Sequence, residues 1–149
     1  MARVDNLRRM RAFRRGFSRR HIALGIDKRP MLRPERKRAT LTTALAGTNN
    51  DVLVSAYYYG SEGNAIRFGI VVPGTANAVA SVTVSGNDIT FNSATTGVAG
   101  TPASTATQMM NAVNADAVAG KKVFLQLAAG NDGTGVIAAL ALTSLTGGQ

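Results

Sequence analysis

Positive charge is confined to one end of this chain, and that confinement divides it in two. Fourteen of the 17 Lys and Arg residues lie in residues 1–38, against Asp5, Asp27 and Glu35, so the segment carries +11. The remaining 111 residues hold Arg67, Lys121 and Lys122 against Asp51, Glu62, Asp88, Asp116 and Asp132, or −2. Composition changes with charge: from Thr40 onward the chain is rich in Ala, Gly, Thr, Val and Asn. The boundary falls near Ala39 and Thr40, giving a basic arm over 1–39 and a compact part over 40–149. About 110 residues suffice to bury a core of modest stability.

The arm is built mostly of Arg, whose planar fork suits carboxylate or phosphate better than a Lys ammonium does. Val4, Leu7, Met10, Phe13 and Phe17 recur at three- and four-residue steps, which predicts a helix with one apolar stripe. Gly16 and Gly25 weaken or end that helix, and Pro30 and Pro34 favour an extended path after it. Such a helix is marginal alone in water and is expected to order only against a partner. A solvated basic tail is the plainer alternative. The stripe favours docking, because phosphate binding alone has no use for Leu7, Phe13 and Phe17. The candidate partner-binding residues are Arg8, Arg9, Arg11, Phe13, Arg14, Arg15, Phe17, Arg19, Arg20, Arg29, Arg33, Arg36, Lys37 and Arg38. Their partner is an acidic protein surface or nucleic acid.

The compact part reads as α+β: a small, mainly antiparallel sheet domain with one principal helix. Residues 52–59 are rich in β-formers and predict a strand. Residues 60–64 form a turn. Ile66, Phe68, Ile70 and Val72 alternate along a second, half-buried strand over 65–72. Residues 79–84 and 89–91 flank a Gly-Asn turn and predict a hairpin. Residues 93–102 read as a flexible connection. Ser104 or Thr105 caps a helix whose stripe is Ala106, Met109, Met110, Val113 and Ala117, with Gly120 at its C-terminal end. Residues 123–127 form another strand. Residues 136–145 fit a strand or a short helix. Tyr57, Tyr58 and Tyr59 could form a stacking surface, but the alternation of a strand divides them between core and rim.

Little in this sequence supports catalysis. The only histidine, His21, lies in the arm, so a Ser-His-Asp triad within the domain is excluded. There is no cysteine, hence no disulfide, thiol nucleophile or zinc-thiolate site. The domain acids are scattered, with no close pair for two-carboxylate chemistry. Residues 130–135 look superficially like a phosphate loop but lack the GxxxxGK[ST] pattern, and one carboxylate is too few for calcium. An ordinary turn is the expectation there, and likewise at Asp88. No metal or cofactor is expected. No run of about 18 apolar residues exists to form a transmembrane helix, and no membrane partner is expected.

The compact part resembles a small domain of tailed-bacteriophage virion proteins, including some contractile-tail sheath proteins. The resemblance lies in Gly60-Ser61-Glu62-Gly63-Asn64-Ala65-Ile66 and in Ser81-Val82-Thr83-Val84-Ser85-Gly86-Asn87-Asp88-Ile89-Thr90. It continues through Ser104-Thr105-Ala106, Ala112-Val113-Asn114-Ala115 and Leu145-Thr146-Gly147-Gly148, in order over roughly residues 50–148. It implies an exposed, non-enzymatic module of a virion structural protein, and carries no catalytic residue. A sheath subunit would be several hundred residues long, whereas here the domain stands almost alone behind its arm. That suits a capsid decoration or cement protein, with a neck or tail accessory protein as the alternative. The implied partner is the major capsid protein or another virion lattice protein, with homo-oligomerisation expected and the virion as location. Sequence-independent nucleic-acid binding through the arm is the competing class.

Overall fold

Strands form in this chain wherever β-branched and aromatic residues alternate with small polar ones. The computed structural model describes residues 35–149, and the compact unit runs Pro34–Gln149. It is an α+β domain with one α-helix and mainly antiparallel sheets. The first sheet has the order β1-β2-β8, built from β1 (Arg38–Thr42), β2 (Val52–Tyr59) and β8 (Val123–Leu127), all antiparallel. The second has the order β4-β5-β3-β9, built from β3 (Arg67–Val71), β4 (Ser81–Ser85), β5 (Asp88–Asn92) and β9 (Leu140–Ser144). Here β3 and β5 run parallel, while β4 and β9 pair antiparallel to their neighbours. A two-residue ribbon, β6 (Thr95–Thr96) with β7 (Thr101–Pro102), orders the connection expected to be flexible. The helix α1 spans Ala106–Ala115.

The apolar faces meet in one core. Ala39, Val52, Val54, Ala56, Val123 and Leu125 come from the first sheet, and Phe68, Ile70, Ile89 and Phe91 from the second. The helix adds Ala106, Met109 and Val113, the i, i+3 and i+7 positions of one face. Met110 packs at the edge of the core, whereas Ala117 lies past the helix and is exposed. The helix ends before the sequence suggested: Asp116 is its C-cap, and Gly120 falls in a separate 3₁₀ turn, Ala119–Lys121. Asp116 causes this, because its carboxylate accepts the Val118 and Ala119 N–H groups and turns the chain.

The helix start is fully specified. Thr105 Oγ1 accepts from Gln108 N, and the Gln108 side chain accepts from Thr105 N, closing a capping box. Thr105→Ala removes one half of that exchange. The expected loss is about 1 kcal/mol of stability, checked by the urea midpoint at constant m-value.

Two irregularities matter for function. Opposite Gly69, β9 carries an extra residue between its pairings Phe68↔Thr143 and Ile70↔Leu140. A Cβ at Gly69 would lie 3.1 Å from the Leu140 carbonyl oxygen and 3.3 Å from Leu142 Cα, so only Gly lets β9 bulge there. In the first sheet, Arg38 pairs with Tyr59 but Thr40 with Ser55. Three residues of β2 therefore oppose the single Ala39.

The arm boundary needs correction. Residues 36–38, grouped with the arm by charge, belong to the compact unit. Arg38 opens β1, and Ala39 is wholly buried. Lys37 exchanges two backbone hydrogen bonds with Gln149, at 2.9 and 3.1 Å, and Thr40 exchanges two with Thr146, at 2.8 and 3.0 Å. β1 is thus held by β2 on one side and by residues 146–149 on the other.

Candidate interaction surface

The bulge in β2 brings an aromatic and basic cluster to the surface. Tyr57, Tyr58 and Tyr59 are 50%, 63% and 56% exposed, so none enters the core. The expected division between core and rim is wrong because the extra residues break the alternation on which it rested. Tyr57 and Tyr58 instead contact each other edge to face, with ring centroids 5.4 Å apart. The Arg38 guanidinium lies 4.5 Å from the centroid of Tyr59 and 5.0 Å from that of Phe124, within cation–π range of both. Its Nε is buried with no acceptor among the described residues. Arg36 and Lys37 are exposed beside it in sequence.

Of the residues expected to bind a partner, Arg36, Lys37 and Arg38 lie in the described part. Only Arg38 joins a side-chain cluster there. Arg8, Arg9, Arg11, Phe13, Arg14, Arg15, Phe17, Arg19, Arg20, Arg29 and Arg33, and the helical stripe expected around them, lie outside the described residues. Sequence reasoning raised a surface of Tyr57, Tyr58 and Tyr59 only as the lesser alternative, and it did not single out Phe124. The signal available was the density of three tyrosines at a strand end beside a turn.

A cleft of about 430 Å³ opens near the same strand end, lined by Ala56, Tyr58, Gly63, Ala65 and Ile66 with Glu62, Asn87 and Lys122. Lys122 Nζ reaches Asn87 Oδ1 at 3.5 Å, a weak contact. The cleft thus holds one acid, one base and one amide, and no nucleophile beside a base.

The Gly-rich loop over 130–135 is a structural clip. Gly135 O accepts from Ala106 N, and Gly133 O accepts from Thr107 N and Thr107 Oγ1. With Gln108 N bound to Thr105, the first N–H groups of α1 are already taken. A phosphate would have to displace these partners. Asp132 turns the loop: the N–H and hydroxyl of Thr134 donate to its carboxylate and hold its pKa below the usual Asp range. Asp116 is lowered in the same way by the N–H groups of Ala119 and Val118. Asp88 is paired through both its oxygens with Arg67, whose Nε lies 2.6 Å away, and this raises the Arg67 pKa further. The remaining domain Asp, Asp51, accepts from Thr43 Oγ1 and Leu45 N. Every Asp of residues 40–149 is therefore engaged in holding a turn or a strand. Among the described residues, no group of three His, Asp or Glu side chains is placed to hold a metal. No described helix is long and apolar enough to cross a membrane.

Comparison with protein-family models, with curated proteins and with solved structures finds no match to this chain.

Proposed function

We propose that this chain is a non-catalytic structural protein of a bacteriophage virion, a capsid decoration protein held to an acidic lattice by its Arg-rich segment. The observation that carries the reading is the coupling of a +11 segment to a strand clamped on both sides. Force or binding energy delivered at residues 1–37 enters β1, which is bonded to β2 and to Thr146, with Lys37 just before it bonded to Gln149. A run of Arg residues facing an acidic surface steers association and suppresses wrong partners. The domain itself supplies bulk, with each Asp of residues 40–149 already hydrogen-bonded. The stretches that resemble phage virion domains support the same reading. They form the 3₁₀ turn Ser61–Ala65, the β4–β5 hairpin, the helix cap and the segment that closes against β1.

The test is incorporation. Phage made with residues 2–33 deleted from this chain should yield particles containing at least about tenfold less of it, while the truncated protein stays soluble in the lysate. Normal incorporation of the truncated chain overturns the anchoring role.

A further inference from the structure

The outer face of the first sheet is a surface without a cover among the described residues. The register places Thr40, Thr42, Leu53, Ser55, Phe124 and Gln126 on one face, opposite the core residues Val52, Val54, Val123 and Leu125. Ser55 is buried, Leu53 and Phe124 are half-buried, and Thr40, Thr42 and Gln126 are exposed. Arg38 and Tyr59 extend this face at the end where the chain enters the domain. The face contains two apolar side chains, a tyrosine and a positive charge, and no carboxylate.

We propose that this face docks onto a carboxylate-bearing surface of a partner protein, with Arg38 as its central contact. The inference rests on the assembly reading for where that partner is found, but not for its chemistry. Three observations select an acidic protein over the other candidates. Arg38 already stacks on Tyr59 and Phe124, so one face of each ring is taken from nucleobase stacking. Stacking also fixes the guanidinium, so its outward N–H groups meet a carboxylate with little further loss of side-chain freedom. Residues 1–33 carry the same sign of charge as Arg36, Lys37 and Arg38, which disfavours the chain's own arm as occupant. A second copy carries the same net charge of +9, which disfavours it as the source of the carboxylates. Tyr and Arg are also the residue types that most often carry binding energy at protein interfaces.

The chain offers its own reporter. Its three tyrosines all lie in β2, and it has no tryptophan, so tyrosine emission reads this strand end alone. The full-length protein is titrated with a fluorescein-labelled 20-residue oligo-glutamate peptide, following peptide anisotropy, and with the unlabelled peptide, following tyrosine emission. Saturable changes in both are expected. Arg38→Ala should weaken the affinity about tenfold or more and remove the emission change. Arg38→Lys should restore only part of it, because an ammonium lacks the stacked planar fork. Gln126→Glu, at an exposed position that leaves the core untouched, should weaken binding several-fold by placing a carboxylate on the face.

Peptide anisotropy that rises equally in all variants, without a tyrosine response, overturns the docking face while leaving charge-driven anchoring by the arm intact. No anisotropy change with the wild-type chain overturns both. A tyrosine response to oligo(dT)20 but not to the peptide overturns the protein partner in favour of a single strand.

Discussion

Removing residues 1–40 should unfold the domain, whereas removing residues 1–33 should leave its thermal midpoint close to that of the full chain. The second cut falls outside the compact unit, whose core among the described residues begins at Ala39. The first removes Arg38, Ala39 and Thr40 from β1. It deletes five backbone hydrogen bonds outside the β1–β2 ladder: two between Lys37 and Gln149, two between Thr40 and Thr146, and that from Gly60 N to Lys37 O. At about 1 kcal/mol net each, their loss approaches the whole stability of a small domain, roughly 5–15 kcal/mol. Removing Ala39 also opens a void beside Gly63, whose surroundings include the Ala39 and Ala56 side chains. Far-UV circular dichroism melts of the two truncations decide the matter. A folded 41–149 fragment with an unchanged midpoint would show that the clamp on β1 adds nothing. The cut position also governs any incorporation assay, since a truncation at residue 38 mixes loss of the arm with damage to the sheet.

That boundary was hard to read because two signals conflict over residues 36–40. Charge assigns Arg36, Lys37 and Arg38 to the arm, yet a strand needs only backbone partners and one buried side chain, here Ala39. Alternation is visible where large apolar residues mark it, as in β2, β3, β8 and the β4–β5 hairpin, and these were legible. The helix start was legible because Thr105 and Gln108 form a local code. The parallel pairing of β3 with β5 was not, since a hairpin signal specifies only the neighbour of β4. Residues 136–145 stayed open between helix and strand because Ala suits both. Gly69 decides it from outside by making room for β9. The tyrosine surface is only the lesser reading of the sequence for a related reason: a bulge is fixed by the partner strand's pairing, and residues 57–59 alone do not encode it. Of the candidate surface, the sequence showed the charge but not the rings that hold Arg38 in place.

Gly135→Ala should be the most damaging single methyl addition in the domain. By sequence the loop over 130–135 is an ordinary turn, and its composition alone suggests tolerance to change. In the fold it is wedged between two other segments. A Cβ at Gly135 would overlap the carbonyl oxygen of Thr48 and stand 2.8 Å from the carbonyl carbon of Asn49. Both are backbone atoms, so no rotamer change can relieve the clash. Moving either segment breaks contacts on both sides. Gly135 N donates to Asn49 O at 3.0 Å, and Gly135 O accepts from Ala106 N at 3.1 Å at the start of α1. Next to them, the buried Asn50 side chain donates to Ala46 O at 2.7 Å and Val136 O at 3.0 Å. A shift there would strand a buried amide, which itself costs about 1–3 kcal/mol. A total near 3 kcal/mol is expected, lowering Tm by roughly 10 °C for a domain of this size. Gly130→Ala is the matched control. Its added Cβ meets nothing within 4 Å, and its penalty is limited to the strain of φ +82°, about 1 kcal/mol. If calorimetry found the two variants equally stable, the loop would be a passive connection, and the first turn of α1 would have to draw its order from the capping box alone.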